Sequence, residues 1–139
     1  MAHLQKSVAT LRIFGDDLIP AEVTAMLGGE PTLAGAKGQV IVMRSGRTRI
    51  ARCGRWDLQA SDAEPENLDA QVLEIFGKLT NDLAVWHALS ERFSIDLFCG
   101  WFMKEGNEGV SVSPSTLQAL GERRIVLSLD IYAPTDEEA

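Results

Sequence analysis

The chain is poor in the residues that build metal centres and disulfide frameworks. Among 139 residues there are two cysteines, Cys53 and Cys99, and two histidines, His3 and His87. Two distant cysteines without export features read as free thiols. A four-ligand zinc set would need every Cys and His at no recognisable spacing, so no metal is expected. Long apolar runs are missing as well. No stretch approaches the ~20 apolar residues that span a bilayer. The opening Met1-Ala2-His3-Leu4-Gln5-Lys6-Ser7 lacks the basic-then-apolar layout of a secretory signal. The expectation is a cytoplasmic protein with no membrane association. Basic residues are in deficit, 13 against 20 acidic, for a net charge of −7. That argues against nucleic-acid binding, which needs a basic surface to displace counterions from phosphates. Phosphate-cradling glycine motifs are also lacking. Gly106-x-x-Gly109 precedes no immediate helix, and Gly28-Gly29 reads as a helix stop. No cofactor is expected.

What is present is ordinary globular material, 45% hydrophobic and 24% charged. The length suits one domain, able to bury roughly two-thirds of its unfolded surface. Residues 7–14 alternate as a strand, broken by Gly15-Asp16-Asp17. Pro20 opens a helix carrying Val23, Met26 and Leu27. Val40 to Arg44 and Arg47 to Arg52 form a hairpin around Ser45-Gly46, with strand character continuing through Trp56 and Leu58 to about Ala60. After a polar loop, Asn67 caps a helix with Leu68, Val72, Ile75, Phe76 and Leu79 on its apolar face. A second helix starting at Thr80 or Asn81 carries Leu83, Trp86, Leu89 and Phe93, or the two form one helix kinked at Gly77. Ile95 to Met103 is apolar on both parities, as an interior strand is. Ser113-Pro114 starts a helix ending at Gly121, and Ile125 to Tyr132 is the last strand.

This order predicts an α/β (α+β) fold. It is a single two-layer domain over residues 1–132, with a mixed, mostly antiparallel sheet and helices mainly on one face. The segments Leu11 to Gly28 and Leu97 to Gly121 echo each other as strand, loop, Pro-started helix and Gly stop, which suggests an internal duplication. The acidic tail 133–139 is expected to be disordered. The periodicity places Leu11, Ile13, Val23, Leu27, Ile75, Phe76, Leu97, Leu120, Leu127 and Leu129 in the core.

A family resemblance runs through these elements. Leu11-x-Ile13-x-Gly15, then Ile19-Pro20-x-Glu22-Val23-Thr24-x-x-Leu27-Gly28, then Pro31-Thr32, resembles the opening of an uncharacterised bacterial family, the domain of unknown function DUF4279. Gly54-x-Trp56-x-Leu58 is similar to its tryptophan strand. Ser113-Pro114-x-x-Leu117 with Leu129-Asp130-Ile131-Tyr132 is similar to its last helix and strand. The resemblance spans Val8 to Tyr132 and departs at Ile19, where such families more often place a capping residue. It implies a single bacterial α/β domain and brings no activity with it.

No catalytic constellation stands out, and the chain is not expected to be an enzyme. Cys99, Asp96 and His87 are the nearest approach to a Cys/His/Asp set. Cys99 lies between Leu97 and Trp101 on an interior-looking strand, where cysteine acts as a small hydrophobe. Asp130 reads as a solvated strand carboxylate without a partner acid. The unusual feature is charge placement. Lys37, Arg44, Arg47, Arg49, Arg52 and Arg55 lie in one stretch without an acid, which leaves the rest of the chain at −13. The balance favours pairing of most of these with acids such as Asp62, Glu64 and Glu66. Trp56, Trp86 and Trp101 read by default as core, with Trp56 the candidate exception; if the arginines form a binding face instead, Arg47, Arg49 and Trp56 are the expected contacts, since arginines beside an aromatic are the mixture that interface hot spots favour. The leading functional expectation is a non-enzymatic module that binds a protein partner, or a second copy, through the hairpin 40–58. Toxin neutralisation by a small acidic immunity-like protein is one version, by analogy. The alternative is a binder of a small anionic ligand at the arginines.

Overall fold

The computed structural model describes residues 5–134. The central strand β1 (Lys6–Gly15) alternates as its sequence does: Ser7, Ala9, Leu11 and Ile13 are buried, while Lys6, Val8, Thr10, Arg12 and Phe14 face the other side half-buried. Helix α1 (Pro20–Leu27) begins at a proline that has no amide to satisfy, so Ile19 serves as N-cap without a side-chain hydrogen bond. Gly28 ends it in the left-handed conformation, φ 77°, and its amide donates to Thr24 O at 2.8 Å. Three short strands follow: β2 (Leu33–Gly35), β3 (Val40–Val42) and β4 (Thr48–Ile50). β2 escapes a periodicity argument because three residues show no period. Strand β5 (Gly54–Gln59) does not prolong the hairpin; it turns back into the main sheet beside β1. Its first residue must be glycine, since a Cβ on Gly54 would lie 2.5 Å from Gly15 O.

The segment expected as one kinked or two separate helices is two. Helix α2 (Leu68–Phe76) is capped by Asn67, whose Oδ1 accepts from the Ala70 amide. Helix α3 (Leu83–Arg92) is capped by Asp82, one or two residues beyond the expected start. β6 (Ser94–Phe102), α4 (Pro114–Glu122) and β7 (Val126–Tyr132) complete the chain. Ser113 caps α4, and the helix runs through Gly121 rather than stopping there.

The main sheet has the order β2-β5-β1-β6-β7, antiparallel except for the β6–β7 pair, which is parallel. β3 and β4 form a separate two-stranded sheet. All four helices contribute to one core cluster with the odd-numbered residues of β1, so the helix layer lies on one sheet face. Trp56, Trp86, Leu11, Leu27, Ile75 and Leu97 are among its best-covered large side chains, and the Phe76 ring meets Trp86 edge-on at 5.7 Å. A buried polar pair fixes α2 to β1. Ser7 donates to Gln71 Oε1 at 2.8 Å, and the Gln71 amide returns to Ser7 O at 2.9 Å and Ser61 O at 3.0 Å, so every buried polar atom there is matched.

One core expectation is corrected. Leu127 packs partly against the core, but Leu129 is 45% exposed. Its parity is right, since it pairs with Cys99 on the helix face. β7, however, is an edge strand, and the helix cover thins along it. The expected disorder of 133–139 falls, from residue 135 onward, outside the described residues.

Candidate functional site

The sheet face away from the helices carries a compact charge cluster. Arg12 sits on the central strand directly opposite Asp57 of β5 on one side and Asp96 of β6 on the other. Its guanidinium donates twice to Asp96, Nε to Oδ1 at 2.8 Å and Nη2 to Oδ2 at 2.6 Å. This hydrogen-bonded carboxylate raises the Arg12 pKa. The same guanidinium lies 4.3 Å over the Phe98 ring and 5.1 Å from the Phe14 centroid. Asp57 takes its own cation, Arg55, two residues away on β5. Burial nevertheless dominates there and pushes the Asp57 carboxyl above the ordinary carboxylate range, against the pull of Arg55. Asp57 Oδ1 and Arg55 Nε are both buried without a hydrogen-bond partner.

The β3–β4 hairpin stands over this face. Ile41, buried, fixes it by packing on Gly35 of β2, where a Cβ would come within 2.9 Å of the isoleucine side chain. Gly46 makes the turn at φ 86°, and Met43 and Arg47 close it through a 2.7 Å amide-to-carbonyl bond. Strand pairing groups Val40 with Ile50 and Val42 with Thr48 on one hairpin face. Those three aliphatics are 60%, 66% and 65% exposed, in the order Val40, Ile50, Val42. Between hairpin and sheet lies a cavity of about 420 Å³, walled by Val42, Met43 and Arg44 above and by Arg12, Asp57 and Phe98 below. On the other side of Arg55, Arg49, Ile50 and Arg52 line a second concavity with Phe14.

The arginines separate into two kinds. Lys37 pairs with Asp16 at 3.4 Å and Arg55 with Asp57. Arg44, Arg47, Arg49 and Arg52 are exposed, and none forms a salt bridge among the described residues. The expectation that most of the basic stretch pairs internally is therefore corrected for these four. The acids of the following loop are engaged elsewhere: Asp62 pairs with Lys6 at 3.2 Å, and Asp62, Glu64 and Glu66 line a separate concavity. Arg47 and Arg49 stand on the hairpin as expected. Trp56 does not join them. It faces the core from β5, opposite Ile13, has no exposed surface, and its indole N–H donates to Thr24 Oγ1 at 3.0 Å. The alternation Arg55, Trp56, Asp57, Leu58 carried that signal, because Trp56 shares the parity of Leu58.

The Cys/His/Asp set is not assembled. Cys99 is buried on the helix face of β6, where burial pushes its thiol up to about 12, while Asp96 points to the opposite face. His87 lies on α3, its Nε2 2.8 Å from Glu122 O. Asp130 is exposed and accepts from the Tyr132 hydroxyl at 2.6 Å. Among the described residues, no three His, Cys, Asp or Glu side chains converge as metal ligands, and no helix is long and apolar enough to cross a membrane. The sequence reading missed Arg12, Asp57, Asp96, Phe14 and Phe98 as a group. Each lies on the less apolar parity of its strand, but the strand order that brings them together is not written locally.

The chain matches no curated protein and no solved structure. A family match covers residues 5–134, which contain both the charged sheet face and the hairpin. The chain belongs to the family described as Domain of unknown function (DUF4279).

Proposed function

We propose that the domain is a non-enzymatic protein-binding module whose hairpin, Val40–Ile50, with the cleft beneath it, receives an acidic segment of a partner protein. The observation that carries this reading is the combination along the hairpin and the two residues that follow it. Arg44, Arg47, Arg49 and Arg52 are solvated and uncompensated among the described residues, and Val40, Val42 and Ile50 expose apolar surface beside them. Apolar contact then supplies affinity, and the arginine forks supply geometry toward carboxylates. The rest of the chain carries a net charge of −13, so its field disfavours an acidic partner elsewhere and leaves this basic stretch as the favourable approach.

The test is co-purification of the tagged chain from its host lysate, quantified against an Arg47→Ser/Arg49→Ser variant. The wild-type chain should enrich a specific acidic protein, and the double variant should lose it with little change in stability, ~0–1 kcal/mol, as exposed charges contribute. Capture should weaken at ~0.5 M salt, where screening shortens the reach of the charges. Partners that survive the double replacement unchanged would remove this surface from consideration.

A second reading rests on the 420 Å³ cavity, whose wall includes Arg12, Arg44 and Arg55. It is the binding of a small anionic ligand there. A thermal-shift screen of phosphorylated and carboxylated metabolites separates the two: a ligand that stabilises the wild type and not an Arg44→Ser variant favours the small molecule.

A further inference from the structure

The two edges of the main sheet are unlike. β2 is three residues long, follows Pro31 and is flanked by β3 of the hairpin, so little of it is open to pairing. β7 is seven residues long and carries neither lysine nor proline, the usual guards of an exposed edge. It also exposes apolar side chains on both sheet faces: Leu129 at 45% and Ile131 at 54% on the helix side, Val126 at 62% and Tyr132 at 42% on the other.

We infer that β7 pairs antiparallel with β7 of a second copy of this chain, about a two-fold axis at Leu129, which joins two five-stranded sheets into one. The backbone supports this register. Tyr132 O accepts from the Met103 amide at 3.0 Å, so Tyr132 directs its main-chain groups toward the β6 side. Strand alternation then turns those of Leu127, Leu129 and Ile131 outward, where no strand pairs with them among the described residues. With Leu129 opposite itself, every outward residue meets an outward residue, as an antiparallel ladder requires. The side chains also match. Leu129 meets Leu129 of the second copy, Leu127 meets Ile131, Val126 meets Tyr132, and Ser128 meets Asp130, so the only charge faces a hydroxyl donor. Moving the axis to Asp130 sets two carboxylates against each other, and moving it to Ser128 shortens the overlap of the strand with itself. Tyr132 already stacks on Phe102, centroids 4.7 Å apart, so its ring is held in place for a cross-strand contact. β7 lies at the opposite sheet edge from β2, over which the hairpin is anchored, so the dimer leaves both hairpins free for partners.

Analytical ultracentrifugation of the full chain over a wide concentration range tests this. The wild type should sediment as a concentration-dependent dimer. Ser128→Asp places a second carboxylate against each Asp130 and should weaken the dimer about tenfold, and Ser128→Lys should strengthen it, with opposite responses to salt. Leu129→Pro removes an outward N–H without touching the β6 ladder, and should give a monomer with an unchanged far-UV spectrum. A wild type that stays monomeric at every concentration overturns the inference. So does a dimer whose dissociation constant is the same in wild type, Ser128→Asp and Ser128→Lys.

Discussion

Replacing Arg12 by methionine should be among the most damaging single changes on the sheet face that the helices leave open. The guanidinium makes two charge-assisted hydrogen bonds to Asp96, and the two side chains are 27% and 16% exposed. Removing one partner of a fully buried pair costs about 3–5 kcal/mol, because the remaining charge is left dry. Water reaches part of this pair, so about 2–3 kcal/mol is expected. Methionine keeps some of the packing on Phe98 and Phe14, which isolates the electrostatic loss. The double variant Arg12→Met/Asp96→Leu should recover to within about 1 kcal/mol of wild type, since a pair replaced whole by apolar groups strands no charge. The assay is urea unfolding followed by tryptophan fluorescence, read as a double-mutant cycle. With m of about 2 kcal/mol/M, the single variant's midpoint should fall by about 1–1.5 M. A loss below about 0.5 kcal/mol, or no coupling between the two sites, would refute the claim that this pair organises the face.

Two further expectations follow from burial and charge. Leu97→Ala should cost about 2–5 kcal/mol, since Leu97 has no exposed surface on β6, whereas Leu129→Ala, on the same sheet face but at the edge, should cost under about 1 kcal/mol in the monomer; equal losses at the two sites would mean that β7 is covered. Asp57 should make its own mark on the pH dependence of stability. Its folded pKa is raised by burial, so between the unfolded and folded values the native state holds more protons than the unfolded one. The stability of wild type relative to Asp57→Asn should therefore fall as pH rises through that window and level off above it. Denaturation curves in which wild type gains stability relative to the variant over that window would reverse the assignment.

How much of this was legible in the sequence depended on the range of the interaction that decided it. Helix ends were legible because Pro20, Gly28, Asn67 and Ser113 act within a few residues of themselves. The core parity of β1 and β6 was legible because alternation is local. β2 was not, since it exists only because β5 offers it a ladder. Leu129 had the right parity and the wrong exposure, because burial depends on what lies above a strand and parity does not report that. Trp56 was set among surface arginines by nearness in sequence, although its alternation with Arg55 and Asp57 already separated it from them. Arg12, Asp57 and Asp96 come together only through the order β5-β1-β6, a long-range fact that no window of residues contains. The basic hairpin was visible as composition, but whether its charges were compensated was a question of reach.

That question of reach distinguishes the two sets of arginines physically. On the sheet, Arg12 and Arg55 each sit beside a carboxylate placed by register or by a two-residue step, and their charges are used within the fold. On and just after the hairpin, Arg44, Arg47, Arg49 and Arg52 are exposed without a salt bridge among the described residues. The chain had the means to pair them. It carries 20 acidic residues, three of them, Asp62, Glu64 and Glu66, in the loop that follows β5. The fold sends that loop elsewhere. Asp62 turns to Lys6, and the loop acids line a separate concavity with Asp69 and Glu74. The molecule thus holds its positive charge apart from its own negative charge, at the end of a hairpin whose aliphatic face is also bare. An isolated domain gains no stability from that separation. On the proposed reading, a carboxylate-bearing partner would gain from it twice, through the ion pairs it forms and the apolar surface it covers.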